Sequence, residues 1–199
     1  MSTAVIISMA TFALAASFSP GPVNIVALSA GMQFGFRRSV AFVTGATFGF
    51  TLLLLSVGFF LRATHNWLPE LLIISRWAGV VFLAYMAVSL ATDGGKISTS
   101  EDRKPPTAIE GGLLQWLNPK AWLASISGIG IFAAGDAPGD LFVFASLYFV
   151  ICYGSIGSWA LAGAVVSEWI RTPLVLAWIN RFLASLLTVS AIYLTFFRP

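Results

Sequence analysis

The chain has 199 residues, 58% hydrophobic and 10% charged, with a net charge of +3; its mean hydropathy is +0.88. That balance excludes a soluble core of this length and describes a polytopic membrane protein. The charge is too small and too scattered for a nucleic-acid partner, and the single cysteine, Cys152, excludes an intramolecular disulfide and argues against a thiolate metal site.

Six spans of about 20 residues can be drawn, which makes the expected fold all-α. The first, Ala4 to Met32, is interrupted by Ser19-Pro20-Gly21-Pro22-Val23-Asn24. No Lys or Arg precedes it and apolar sequence resumes after Pro22, so it reads as a retained span rather than a signal peptide. Proline lacks the backbone N–H, so Pro20 and Pro22 leave the carbonyls of Ala16 and Phe18 without helical partners. Irregular backbone at membrane depth is tolerated only where protein or a water-filled cavity satisfies it. The hexapeptide is therefore expected to face a pathway; a kink that only shapes packing is the plainer alternative.

The second span is Ser39 to Leu61 and the third Leu71 to Ala91, with the lone histidine, His65, as a solvated bystander beside the loop between them. Gly31 and Gly35, then Gly45 and Gly49, are spaced four apart and read as close helix contacts. Thr44, Thr47 and Thr51 share one face of the second span. The polar stretch Thr92 to Thr107 is a linker. The fourth span, Ile109 to Ala134, is broken at Leu117-Asn118-Pro119-Lys120. Asn is a good N-cap and Pro suits the first helical position, so a new half-helix starts there with Lys120 in its first turn. The fifth span, Leu141 to Val166, carries Tyr148, Cys152, Ser155 and Trp159 on one face, and the sixth is Leu174 to Phe197. Either polar stripe suits a pathway, and either suits packing, since Ser and Thr also bond to their own helix backbone.

About nine residues separate each break from the same membrane face, or about 14 Å at helical rise, so antiparallel helices bring the breaks to one depth. The chain is then one membrane domain of two repeats, about 1–91 and 108–199, joined by the linker at about 92–107. Three spans per repeat force the second to run in the opposite sense, an inverted repeat whose first helices are both broken by proline. Lys and Arg are richer on one side, with Arg37, Arg38, Lys96, Arg103, Lys104, Arg171 and Arg181 against Arg62, Arg76 and Arg198. The richer side is expected to be cytoplasmic, which places both termini outside. All eight acids fall at span ends or in loops, and Glu110 is the nearest to a cavity mouth.

Ser19-Pro-Gly-Pro-Val-Asn24, Gly31, Gly35-Phe-Arg-Arg38, Gly45, Gly49 and Asn118-Pro-Lys-Ala121 resemble the signatures of the lysine-exporter type family, which also contains the homoserine and threonine exporters. The resemblance covers the whole chain, and the combination of the two proline motifs is its specific part. Ile25-Val-Ala-Leu-Ser29, Trp77-Ala-Gly79 and Trp159-Ala-Leu-Ala-Gly163 are most similar to the cysteine and O-acetylserine exporter branch. The chain departs from the wider family at Ser127-Gly-Ile-Gly-Ile-Phe132, where a Leu-Pro-Gln-Phe-like segment is common, and at Ala184, where glycine is common. The resemblance implies a bacterial inner-membrane exporter of small amino acids, with no catalytic residues and no cofactor, and it leaves a homodimer open.

A zwitterionic substrate needs a place for each charge. The half-helix N-termini after Pro22 and Pro119, with Lys120, suit the carboxylate, while unwound carbonyls before Pro20 and the side-chain oxygens of Asn24 and Asn118 suit the ammonium. Ser19, Pro20, Gly21, Pro22, Asn24, Asn118, Pro119 and Lys120 are thus the candidate substrate-binding residues. A lysine in the membrane costs roughly 3 kcal/mol, so Lys120 either serves the pathway or snorkels to water. Three rivals remain. An intramembrane enzyme needs a nucleophile and base, a metal exporter needs more ligands within its spans, and a membrane scaffold gives no reason for two broken helices.

Overall fold

The computed structural model describes residues 2–63, 104–133 and 138–169, with helical positions scattered between 77 and 92 and between 178 and 192. The expected third and sixth spans, His65, and all but the end of the 92–107 linker lie outside the continuous described segments. Six helices make up those segments: α1 (Thr3–Phe18), α2 (Pro22–Phe34), α3 (Phe36–Ala63), α4 (Ala108–Trp116), α5 (Pro119–Phe132) and α6 (Pro138–Trp169).

Three helix starts follow from local chemistry. Ser2 accepts from the Val5 N–H and opens α1. Thr107 caps α4 through a capping box: its hydroxyl accepts from the Glu110 N–H at 3.2 Å, and the Glu110 carboxylate takes the Thr107 N–H at 2.6 Å. Asn118 caps α5, accepting from the Lys120 N–H at 3.1 Å, with Pro119 in the first turn.

Both proline breaks are present at Pro20–Pro22 and at Asn118–Pro119. Helices α1 and α2 form one apolar pair bent by 60°. Residues Phe36–Leu61 and Gly139–Val166 are long and apolar enough to cross a membrane alone, and the bent pair makes a third such unit. The boundary between the first two expected spans needs correction. Instead of a loop from residue 33 to 38, a single residue, Gly35, separates α2 from α3. Its φ of 79° is open to glycine and strained for other residues, so the chain turns without a longer connection.

Helices α3 and α6 form the centre, with Phe42, Leu53, Leu54, Phe144 and Ile156 fully buried. Between helices in lipid, contact comes from close van der Waals fit, because lipid tails are as apolar as the side chains they would replace. Small residues therefore mark the crossings. A Cβ on Gly31 would run into the Ala160 carbonyl of α6, and one on Gly163 into that of Leu28 in α2. Gly45 and Gly49 likewise press against Ala108 and Gly112 of α4. An aromatic cluster ties four helices together: Phe12 to Phe132 at 5.8 Å, Phe132 to Phe144 at 5.4 Å, Phe144 to Tyr148 at 5.6 Å and Tyr148 to Phe50 at 4.4 Å. These contacts hold α1 and α5, and with them the two breaks, against α6.

Candidate functional site at the paired helix breaks

At the first break every carbonyl from Ala15 to Gly21 has a donor. Ala15 O accepts from the Ser19 N–H at 3.2 Å and Gly21 O from the Ile25 N–H at 2.9 Å. Ala16 O, orphaned by Pro20, accepts from Ser19 Oγ at 3.2 Å. Phe18 O, orphaned by Pro22, accepts from the Trp159 indole of α6 at 3.2 Å. Asn24 Nδ2 reaches back one turn to Ser17 O at 2.8 Å and Ser19 O at 2.9 Å. Lys120 Nζ, from the second break, donates to Ser19 O at 2.5 Å and to Pro20 O at 3.4 Å. At the second break the Trp122 indole donates to Trp116 O at 2.8 Å and the Asn118 N–H to Gln115 O at 3.2 Å. Bare carbonyls in a low-dielectric interior cost several kcal/mol each, which explains why side chains are committed to them.

The donors of the two half-helices differ. At α5 the Lys120 N–H is taken by Asn118 Oδ1 and the Ala121 N–H by Asn118 O at 2.9 Å. In the first turn of α2 the N–H groups of Val23 and Asn24 bond to no described residue. The positive end of the α2 dipole is thus the open one, and it lies beside Lys120.

Both breaks line one cavity of about 40 Å³. Gly21, Asn24, Asn118 and Lys120 contribute from the breaks, and Tyr148 and Cys152 from α6. Sequence reasoning did not single out Ser17, Phe50 and Gln115, which also line it. Gln115 lies one turn before Asn118, the spacing at which helical residues share a face, and that was the available signal. Asn24, Asn118 and Gln115 are each at least 95% buried. Asn118 Nδ2 faces Gln115 Oε1 at 3.5 Å. Lys120 packs along Gly21, where a Cβ would stand 3.1 Å from its Cδ and 3.2 Å from its Nζ.

The other expected residues are placed elsewhere. Ser19 and Pro20 meet Lys120 through their carbonyls, while Pro22 and Pro119 begin α2 and α5 as buried residues. Thr47 and Thr51 donate to the carbonyls of Val43 and Thr47, both at 2.9 Å, and Thr44 meets Tyr153 Oη at 3.2 Å, so this stripe is engaged outside the cavity lining. Ser155 is buried outside that lining, and the Trp159 indole serves the Phe18 carbonyl. Gly31, Gly45 and Gly49 sit at helix crossings, whereas Gly35 is the turn between α2 and α3. Among the described residues no group of three His, Cys, Asp or Glu side chains is placed to share a metal ion.

Apolar helices of membrane-crossing length around a polar cavity, with two broken helices meeting in it, define an integral membrane protein of transporter type. The LysE type translocator family matches residues 14–196, and the chain belongs to that family. It is similar to the cysteine/O-acetylserine efflux protein of Escherichia coli (strain K12) and to that of Shigella sonnei (strain Ss046). With each it shares 28% identity over 169 residues, which covers 81% of this chain and 83% of the relative. No solved structure matches the chain.

Proposed function

We propose that the protein exports small neutral amino acids or close derivatives, of the cysteine and O-acetylserine kind, across the bacterial inner membrane by alternating access. The observation that carries this reading is the meeting of Lys120 with the first break, beside the open N–H groups of Val23 and Asn24. One small volume thereby offers a cation and a helix N-terminus for a carboxylate, and carbonyls for an ammonium. The family membership and the cysteine/O-acetylserine efflux named for those relatives point the same way.

In this reading Ser19, Pro20, Gly21, Pro22, Asn24, Asn118, Pro119 and Lys120 form the substrate site, with Tyr148 and Cys152 beside it, and no bond chemistry takes place. A cavity of about 40 Å³ has room for a few waters rather than an amino acid, so in this reading the site widens when substrate enters. The full chain has six spans in two inverted repeats, with both termini outside and the linker in the cytoplasm. Labelling of cysteines introduced at Ser98 and Pro199 from each side of the membrane tests that topology; labelling of position 98 from outside alone contradicts it.

Export by intact vesicles, comparing cysteine and O-acetylserine with a divalent metal ion, tests the function. Accumulation of the amino acids and not of the metal is expected. Metal movement without amino-acid movement refutes the reading.

A further inference from the structure

The Lys120 ammonium already stands on the unwound carbonyls that suit a substrate ammonium. It lies 2.5 Å from Ser19 O and 3.4 Å from Pro20 O, and its chain lies against Gly21. Resting on the proposed amino-acid reading, we propose that Lys120 acts as an internal stand-in for substrate: an incoming α-ammonium displaces it from the Ser19 and Pro20 carbonyls, and the displaced ammonium pairs with the same substrate's carboxylate.

The exchange is balanced in charge and in hydrogen bonds. One ammonium with three donors leaves two carbonyl acceptors and another with three donors takes them. The Lys120 cation opposes the dipole of α5, in whose first turn it sits, so it needs an acceptor at every stage. Carbonyls supply one before binding and the carboxylate supplies one after. Asn24 Nδ2 stays on Ser17 O and Ser19 O and keeps the break from unravelling during the exchange. The open N–H groups of Val23 and Asn24 give the carboxylate its second anchor. The two contacts of Lys120 with Ser19 O and Pro20 O are also the only described hydrogen bonds between the two breaks, so displacing the ammonium releases one break from the other.

The exchange sets the substrate class by charge. An amine without a carboxylate must evict Lys120 and leaves it unpaired, and a carboxylate without an amine leaves the carbonyls to Lys120. Only a molecule with both charges on adjacent positions offers each group its replacement. Removing Lys120 should therefore do two separable things: weaken zwitterions and relieve the handicap of simple amines.

The test is binding of cysteine, cysteamine and 3-mercaptopropionate, under reducing conditions, to purified wild-type protein and to Lys120→Met. In the wild type cysteine should bind at least about tenfold tighter than either analogue, the worth of one charge-assisted contact. In Lys120→Met cysteine should weaken about ten- to a hundredfold while cysteamine holds or tightens. Cysteamine weakening in step with cysteine overturns the exchange. A second measurement needs no change at the site: with Lys96→Arg and Lys104→Arg, Lys120 is the sole lysine, and its ¹⁵Nζ resonance should move when cysteine saturates the protein. Cysteine that binds without moving that resonance overturns the exchange and leaves the amino-acid reading standing. Failure of the wild type to bind cysteine, O-acetylserine or any other small neutral amino acid removes the amino-acid reading itself.

Discussion

The Lys120 ammonium donates to the Ser19 carbonyl at 2.5 Å across 101 residues of sequence, joining two helix breaks into one site. Neither group is well served by its own helix. Ser19 is the C-cap of α1 and precedes Pro20, which has no N–H to continue the helix, and Lys120 carries its charge at the positive end of α5. Each supplies what the other lacks.

Asn24 holds the first break. Its amide is the described donor to Ser17 O and one of two donors to Ser19 O. Asn24→Leu leaves the first carbonyl bare, and the expected cost is about 1–3 kcal/mol. A lower thermal midpoint of the purified protein in detergent is the expected sign, and an unchanged midpoint contradicts the assignment.

Glycine substitutions should differ in sign with position. Gly31→Ala pushes α2 off α6 and is expected to destabilise by about 1–3 kcal/mol. Gly154→Ala on α6 meets no described atom within 4 Å, and a gain of up to about 1 kcal/mol in helix propensity is expected. Unfolding measurements on the two variants should move in opposite directions.

Much of this was legible in the sequence, and the limits have physical causes. Proline cannot donate, so Pro20, Pro22 and Pro119 announce the breaks, and Asn118 before Pro119 announces a capped restart. The crossings at Gly31, Gly45 and Gly49 follow from small residues one turn apart. What sequence could not supply is the choice of partner across helices. The Trp159 indole is directed to the Phe18 carbonyl because α6 passes the break, and nothing local to Trp159 encodes that. The Thr47 and Thr51 hydroxyls have a choice between a pathway and their own helix, and in this structure each donates to a carbonyl of its own helix. Gly35 fits the spacing of a packing motif, yet its positive φ makes it a turn.

The threonine stripe is therefore expected to matter little for substrate. Thr51→Val removes a hydroxyl bonded to the Thr47 carbonyl and leaves the cavity lining intact. Substrate affinity should stay within about twofold of wild type. A tenfold loss in a binding assay would return Thr51 to the pathway.

Glu110 closes a capping box, so its carboxylate is committed to the Thr107 N–H and hydroxyl. Gln also fits that position, and Glu110→Gln is expected to keep the pH profile of export. Glu110→Ala should lower stability by about 1 kcal/mol. A profile flattened by Glu110→Gln in a vesicle assay would assign the coupling to this edge carboxylate.

The central claim is that Lys120 reads the substrate carboxylate where the two breaks meet, and binding by folded Lys120→Met protein tests it most directly. Met keeps much of the apolar stem and removes the cation. Affinity for cysteine or O-acetylserine is predicted to fall about ten- to a hundredfold, or about 1.5–3 kcal/mol, and Lys120→Arg to rescue poorly because its planar fork is larger and differently directed. Wild-type affinity and export rate in Lys120→Met would contradict the account and leave Lys120 a structural tie between the breaks.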